Sequence, residues 1–357
     1  MAESNSVVRH FHPAWYASVM GTGGLANAIH LALGGSPFFE GLADVLVGVN
    51  IALFLLFIIP WTGRWLLHFD RLSDDLRHPM LGNFFVTMPV GALILGANFY
   101  LIGPDMFAPE FIAAAGIVLF VFAAVLILFF TIVVMYNAYV RENLQPEMIN
   151  FAWFITPVAD IVIPVLGVSL VEQYKVGSPS IASLINTIDM IFYGIGFMLF
   201  IFIGAVVFNR LVNHKLPHAQ VAPTFWILLG PIGMGTVGIF AIANSAKSLG
   251  LILDPTPFRL LGTLLWGFGF WAFIQTLVLT VKYWKDGIPF SMTWWAFIFP
   301  FAAYIISTFQ VGGFLRSPLV FWYGIAMLAL LFVMWIVVLV KSIVALPSLL
   351  LPEKKKS

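Results

Sequence analysis

The chain has 357 residues, of which 61% are hydrophobic and 9% charged, and its formal net charge is +1. Globular domains are typically roughly 45–50% apolar and roughly 25% charged, so a water-soluble fold is excluded and most of the surface must face lipid. The same figures exclude a disordered chain and a nucleic-acid binder, and the count of 0 cysteines excludes disulfides, thiolate catalysis and Cys-ligated metals.

A membrane-spanning helix needs about 20 mostly apolar residues. In chain order ten segments qualify: 13–33, 41–60, 80–102, 108–136, 148–170, 186–209, 222–246, 257–281, 292–314 and 318–345. The first apolar stretch is too long for a signal-peptide core, and no connection is long enough for a separate soluble domain. The expectation is one all-α polytopic membrane domain over 1–357, with short tails at 1–12 and 346–357. The longest interruption, Trp61 to Pro79, holds Arg64, His68, Asp70, Arg71, Asp74, Asp75, Arg77 and His78 and reads as a solvated loop or short surface helix. Loops and tails on the N-terminal side carry 13 Lys and Arg, including Lys354, Lys355 and Lys356, whereas the other side carries 4, Lys175, Lys247, Arg259 and Arg316. That asymmetry places both termini in the cytoplasm, as an even helix count also requires. His10, His12, His68, His78, His214 and His218 fall near the cytoplasmic surface and read as solvated; His30 alone lies inside a span.

The odd-numbered spans repeat a pattern: an aromatic cluster, then a Gly or Pro four to six residues later. The clusters are Trp15-Tyr16, Phe84-Phe85, Trp153-Phe154, Phe225-Trp226 and Trp294-Trp295, and the breaks are Gly21, Pro89, Pro157, Pro231 and Pro300. Successive breaks are 68, 68, 74 and 69 residues apart, which reads as five copies of a helical hairpin. The even-numbered spans show no matching interior break. An interior proline removes a backbone hydrogen bond, and freed polar groups are tolerated at membrane depth only inside protein or beside a water-filled cavity. Five phased breaks therefore predict an inner ring of kinked odd helices around a central pore, with five intact helices outside.

Immediately before the breaks stand Met20, Met88, Thr156, Gly230 and Phe299. Phe299 is the one aromatic in that set, and a helix starting near Met292 carries it about 10–12 Å into the membrane. On the repeat alone it either plugs an axial hole or packs between helices. Gly21, Thr22, Thr156 and Gly230 mark the expected pore lining near the breaks, and Asn27 and Asn98 extend polar lines along helices 1 and 3. Such amides can donate to an anion without fixed charge; hydrogen bonding between helices is the other reading. Asp160 shares a helix face with Thr156 and Pro164. As an ionisable group inside a span it is a functional candidate, either a proton carrier coupled to anion movement or a packing partner for a cation such as Lys247. Asn244 is expected to join the pore lining, and Lys247 and Arg316, with Arg259, an outer vestibule that draws anions in; snorkelling to lipid headgroups is the other reading.

The stretches Met20-Gly21-Thr22-Gly23-Gly24, His78-Pro79 and Trp294-Trp295-Ala296-Phe297-Ile298-Phe299-Pro300 resemble the tellurite-resistance/dicarboxylate transporter family. That family includes bacterial tellurite-resistance proteins, fungal malate and sulfite transporters and plant slow anion channels. The resemblance covers essentially the whole chain. It implies five helical hairpins around a central pore, a homotrimer with one pore per subunit in the cell membrane, and transport of small anions without ATP. In the channel members an aromatic residue of helix 9 occludes the pore, and Phe299 stands at the matching position. C4-dicarboxylates such as malate lead the substrate expectations, with proton coupling. A gated chloride- or nitrate-type channel and a sulfite- or tellurite-related efflux protein are the alternatives. No cofactor or metal is expected. An enzyme is not favoured: haem would want paired intramembrane histidines, and an intramembrane protease would want an aspartate better placed toward Asp160 than Asp189 is. A passive receptor would not need five phased breaks.

Overall fold

A computed structural model describes residues 7–142 and 144–350 of the chain. Among these residues every regular element is helical. The long helices are α1 (Tyr16–Leu33), α2 (Pro37–Leu67), α3 (Thr87–Leu101), α4 (Pro109–Tyr139), α5 (Ile155–Tyr174), α6 (Pro179–Asn213), α7 (Leu229–Ser248), α8 (Thr256–Asp286), α9 (Phe299–Leu315) and α10 (Pro318–Leu350). Nine of the helices among the described residues are long and apolar enough to cross a membrane. The exception is α1, which carries Thr22, Asn27, His30 and three glycines in 18 residues.

Each odd-numbered helix is entered through a 3-10 segment: Pro13–Trp15, Leu81–Val86, Phe151–Phe154, Ala219–Leu228 and Met292–Phe297. These segments hold the aromatic clusters of the repeat. The interruption is thus a change of hydrogen-bonding pattern, from i→i+3 to i→i+4, and not a kink at proline. Pro89, Pro157 and Pro231 are the third residues of α3, α5 and α7, and Pro300 is the second of α9. In a first turn a missing N–H and a fixed φ cost little. Gly21 interrupts nothing: α1 runs through it, and a Cβ there would lie 2.9 Å from Ile298 Cγ2, so its smallness serves a close approach of α1 to α9. Interior prolines occur elsewhere, at Pro164 of α5 and at Pro60 of α2, a helix expected to be unbroken. The even-numbered helices α2, α4, α6, α8 and α10 all carry proline in their first turn, the same N-terminal device.

Burial separates the two sets. In the spans containing α3, α5, α7 and α9, 72–89% of residues are buried, against 22–39% in α2, α4, α6, α8 and α10. In α1 the fourteen residues Tyr16 to Ile29 are all buried. The odd helices touch in sequence, α1 with α3, α3 with α5, α5 with α7 and α7 with α9, and α9 returns to α1. Each also packs on the even helix that follows it. Indole N–H groups tie the sets together: Trp226 donates to Thr280 at 2.9 Å, Trp266 to Thr308 at 2.9 Å, Trp295 to Ser342 at 3.0 Å and Trp335 to Thr22 at 3.1 Å. Tryptophan suits this task because it buries a large apolar body while spending its one donor on a neighbouring hydroxyl.

The interruption after Trp61 is less solvated than its composition suggests. Helix α2 continues to Leu67, and a short amphipathic helix, Phe69–Arg77, follows. Arg64 is buried, donating to the Phe11 carbonyl at 2.8 Å and pairing with Asp75. A charge leaves water only when paired and hydrogen-bonded, and here the pair pins the N-terminal segment to the short helix. Lys354, Lys355 and Lys356, counted toward the orientation, lie outside the described residues.

Candidate functional site

Where the five odd helices begin, they line an apolar cavity of about 40 Å³. Helix α1 contributes Ala17 and Met20, α3 and its 3-10 segment Phe84 and Thr87, α5 Ile155 and Val158, and α7 with its approach Ile227 and Gly230. From α9 and its 3-10 segment come Met292, Trp295, Ala296, Phe299 and Pro300. In the first four helices the lining residues are three apart, one turn of helix, so each presents one narrow edge. Phe299, the first residue of α9, is 4% exposed and is one of these walls.

Of the residues expected to line a pore, Gly230 and Phe299 do line this cavity, and Gly21, Thr22, Asn27, Asn98, Thr156, Asp160 and Asn244 are not among its walls. The polar ones turn to neighbouring helices. Thr22 accepts from Trp335 of α10. Asn98 donates to Asn27 at 2.8 Å and to the Gly23 carbonyl at 3.0 Å, and accepts from Asn50 at 2.9 Å, an amide network among α1, α2 and α3. Thr156 donates to Asn83 at 2.8 Å. Asp160 accepts from Thr131 of α4 at 2.9 Å and is fully buried, so its partner is that hydroxyl and not Lys247. The physical reason is common to all: in a bundle surrounded by hydrocarbon, an unpaired polar group is expensive, so each finds a partner on the next helix. Thr87, which does line the cavity, buries its hydroxyl by donating to the carbonyls of Pro13 at 2.8 Å and Phe84 at 2.7 Å. The walls therefore present methyl, thioether and aromatic groups.

At the opposite ends of the helices, Asn244 accepts from Arg259 at 2.7 Å. Exposed Asp254, whose pKa is lowered first by hydrogen bonds from Thr256 and then by Lys247 and Arg259, adds a carboxylate the vestibule expectation omitted. Arg316 is exposed and caps α9 in the left-handed conformation, at φ 51°.

Near the starts of α1 and α3, two histidines expected to be solvated act as caps. His12 Nδ1 accepts from the Ala14 N–H at 3.0 Å, and burial pushes its pKa down to about 4. His78 Nδ1 accepts from the N–H groups of Met80 and Leu81, both at 3.2 Å, and burial, with Arg141 nearby, lowers its pKa too. Sequence reasoning missed Ala17, Phe84, Thr87, Ile155, Val158, Ile227, Met292, Trp295 and Ala296. The available signal was a pair of residues three apart at the start of each odd helix, 17 and 20, 84 and 87, 155 and 158, 227 and 230, and 296 and 299.

The profile of the SLAC1 family, described as voltage-dependent anion channel, matches residues 10–343. An uncharacterized transporter of Methanocaldococcus jannaschii is 36% identical over 94% of this chain and 93% of its own length. A sulfite efflux pump of Trichophyton rubrum is 25% identical over 87% of the chain and 84% of its own. A malic acid transport protein of Schizosaccharomyces pombe is 24% identical over 93% of the chain and 77% of its own.

Proposed function

Because the chain belongs to the SLAC1 and tellurite-resistance/dicarboxylate transporter family, we propose that it carries small anions across the cell membrane along the axis between α1, α3, α5, α7 and α9, with Phe299 as the gate. In this reading α1 is a tenth span despite its polarity, the odd helices, one from each of five hairpins, form an inner ring, and both termini are cytoplasmic. The chain assembles as a homotrimer with one pore per subunit, as the resemblance implies. C4-dicarboxylates such as malate are the leading substrates, taken up with protons through Asp160.

The observation that carries the reading is the apolar cavity to which all five odd helices contribute a wall. A chamber without a charged lining holds no anion tightly, and hydrophobic constrictions gate by excluding water. The five helices run in one direction with their N-terminal ends around the cavity, and that end of a helix carries partial positive charge. The sum favours an anion over a cation at the constriction without binding either.

A second reading rests on the same lining. With no donor in the cavity to distinguish a carboxylate, a gated channel for chloride or nitrate, or an efflux protein for sulfite, fits equally, and the similarity to a sulfite efflux pump adds to the latter. A counterflow screen in proteoliposomes with malate, succinate, sulfite, chloride and nitrate, with and without a pH gradient, tests the assignment. Single-channel currents in a planar bilayer mark the channel reading. Counterflow of none of the five anions contradicts the proposal.

A further inference from the structure

Helices α5 and α6 pack antiparallel, and their interface holds two carboxyl groups in a reciprocal arrangement. Asp160 of α5 lies against Gly196 of α6: a Cβ on Gly196 would come 2.8 Å from Asp160 Cβ. Asp189 of α6 lies against Gly167 of α5, where a Cβ would overlap both carboxylate oxygens. Each Asp stands seven residues from the Gly on its own helix, so the two carboxyl groups share one seam about 10 Å apart. Asp189 is 1% exposed, and neither of its oxygens has a hydrogen-bond partner; Asp160 Oδ1 and, one turn from Asp189, Asn186 Oδ1 are also buried without one.

The charged and titratable groups of the packed elements are engaged elsewhere. On α5, Glu172 faces Lys175 and Ser248, Asp160 faces Thr131, and Tyr174 neighbours Tyr100. On α6, Tyr193 donates to the Gly235 carbonyl and Arg210 to the Pro146 carbonyl. On α7, Lys247 acts on Asp254. Asp189 thus has no counter-charge and no donor, at a depth of about 15 Å along α6 from its outer end. An unpaired carboxylate charge there is costly. A proton is the one cation that satisfies it without needing room or further ligands.

We propose that Asp189 is a proton-binding group, the outer station of a two-carboxyl line with Asp160 that runs along the α5–α6 seam beside the anion axis. This rests on the anion-transport reading and specifies its coupling. As an anion is drawn in, the Asp189 carboxylate takes one proton from hydronium on the outer side, its O–H bond forming as the hydronium's breaks; the proton then moves through water entering the seam to the Asp160 carboxylate and leaves it to water on the inner side, so both groups return to carboxylates.

The test uses the full chain in proteoliposomes with the membrane potential clamped, malate or sulfite as the anion, and a trapped pH dye to report proton uptake. Wild type should take up protons with the anion. Asp189→Asn should move the anion while proton uptake falls at least about tenfold, the loss expected when a positioned proton carrier is removed, and Asp189→Glu should restore part of it. Asp189→Ser replaces the Asn variant if that one does not fold. Proton uptake per anion unchanged in the folded variant overturns the proposal, as does anion uptake by wild type without protons, which leaves the transport reading intact. If no anion crosses, the transport reading fails instead, and infrared titration of the carboxyl groups decides: loss of one titrating carboxyl in Asp189→Asn supports the site, and an unchanged spectrum overturns it.

Discussion

Gly24 of α1 lies directly against Phe299 of α9: a Cβ added to Gly24 would sit 3.7 Å from the ring Cδ2 and 3.1 Å from Ala302 Cβ. The ring's neighbour on α1 is therefore bare backbone. A large side chain at that position would compete with the ring for the same space and press on α9 at Ala302.

Gly24→Leu should accordingly close the axis further. Counterflow of the transported anion should fall by about tenfold or more, the effect of an added barrier of roughly 1.4 kcal/mol. Counterflow measured at matched protein density in liposomes checks this, and wild-type rates in the variant would place the conducting path elsewhere.

Asn98 should matter to stability before it matters to transport. Asn98→Ala removes the partner of Asn27, Asn50 and the Gly23 carbonyl together. Stranding buried polar groups costs about 1–3 kcal/mol, with membrane interhelical bonds at the lower end. Denaturation in detergent should show that loss; an unchanged midpoint would mean the network is dispensable.

His12 makes acid a stress on the end of the bundle where the odd helices begin. Its pKa lies near 4 in the fold because burial disfavours the charged imidazolium, against 6.5 for the free side chain. The unfolded segment thus binds the proton more readily, so this contribution to stability is intact above pH 6.5 and drains as pH falls toward 4. His78, lowered in the same direction, adds to it. Thermal unfolding of wild type should shift down across that window, and His12→Asn, which keeps an acceptor for the Ala14 N–H, should flatten the shift. An equal slope in the variant would assign the acid sensitivity to other groups.

Much of the fold is legible in the sequence because its period is written in chemically distinct residues. Proline and paired aromatics recur at about 70-residue spacing and mark where each buried helix starts, while α4, α6 and α10 read as almost unbroken runs of Leu, Ile, Val, Phe and Ala. The cavity walls Gly230 and Phe299 follow from that register. The polar residues did not follow, because an amide such as Asn98 looks the same whether it faces a pore or another amide; only the packing of α2 against α1 and α3, which brings Asn50 to it, decides. Arg64 was misjudged for a related reason: its partner Asp75 sits on a helix that folds back, a relation no local pattern carries. The polar groups of α1 are spent on neighbouring helices, Thr22 on Trp335 and Asn27 on Asn98.

Arg316 offers a clean electrostatic test because its backbone is already left-handed, at φ 51°. Arg316→Gly keeps that conformation, which glycine adopts freely, and removes the charge. If the outer cations steer anions, uptake should fall mainly at low salt, where screening is weakest. Equal loss at every ionic strength would contradict steering.

The most direct measurement is anion flux through Phe299→Ala in proteoliposomes, with the variant shown to be folded. Removing the ring from the cavity should raise flux at least about tenfold for the same driving force, the change a barrier lower by roughly 1.4 kcal/mol produces. Flux equal to wild type would mean that Phe299 only packs α9 against α1 and that the conducting path does not pass its ring.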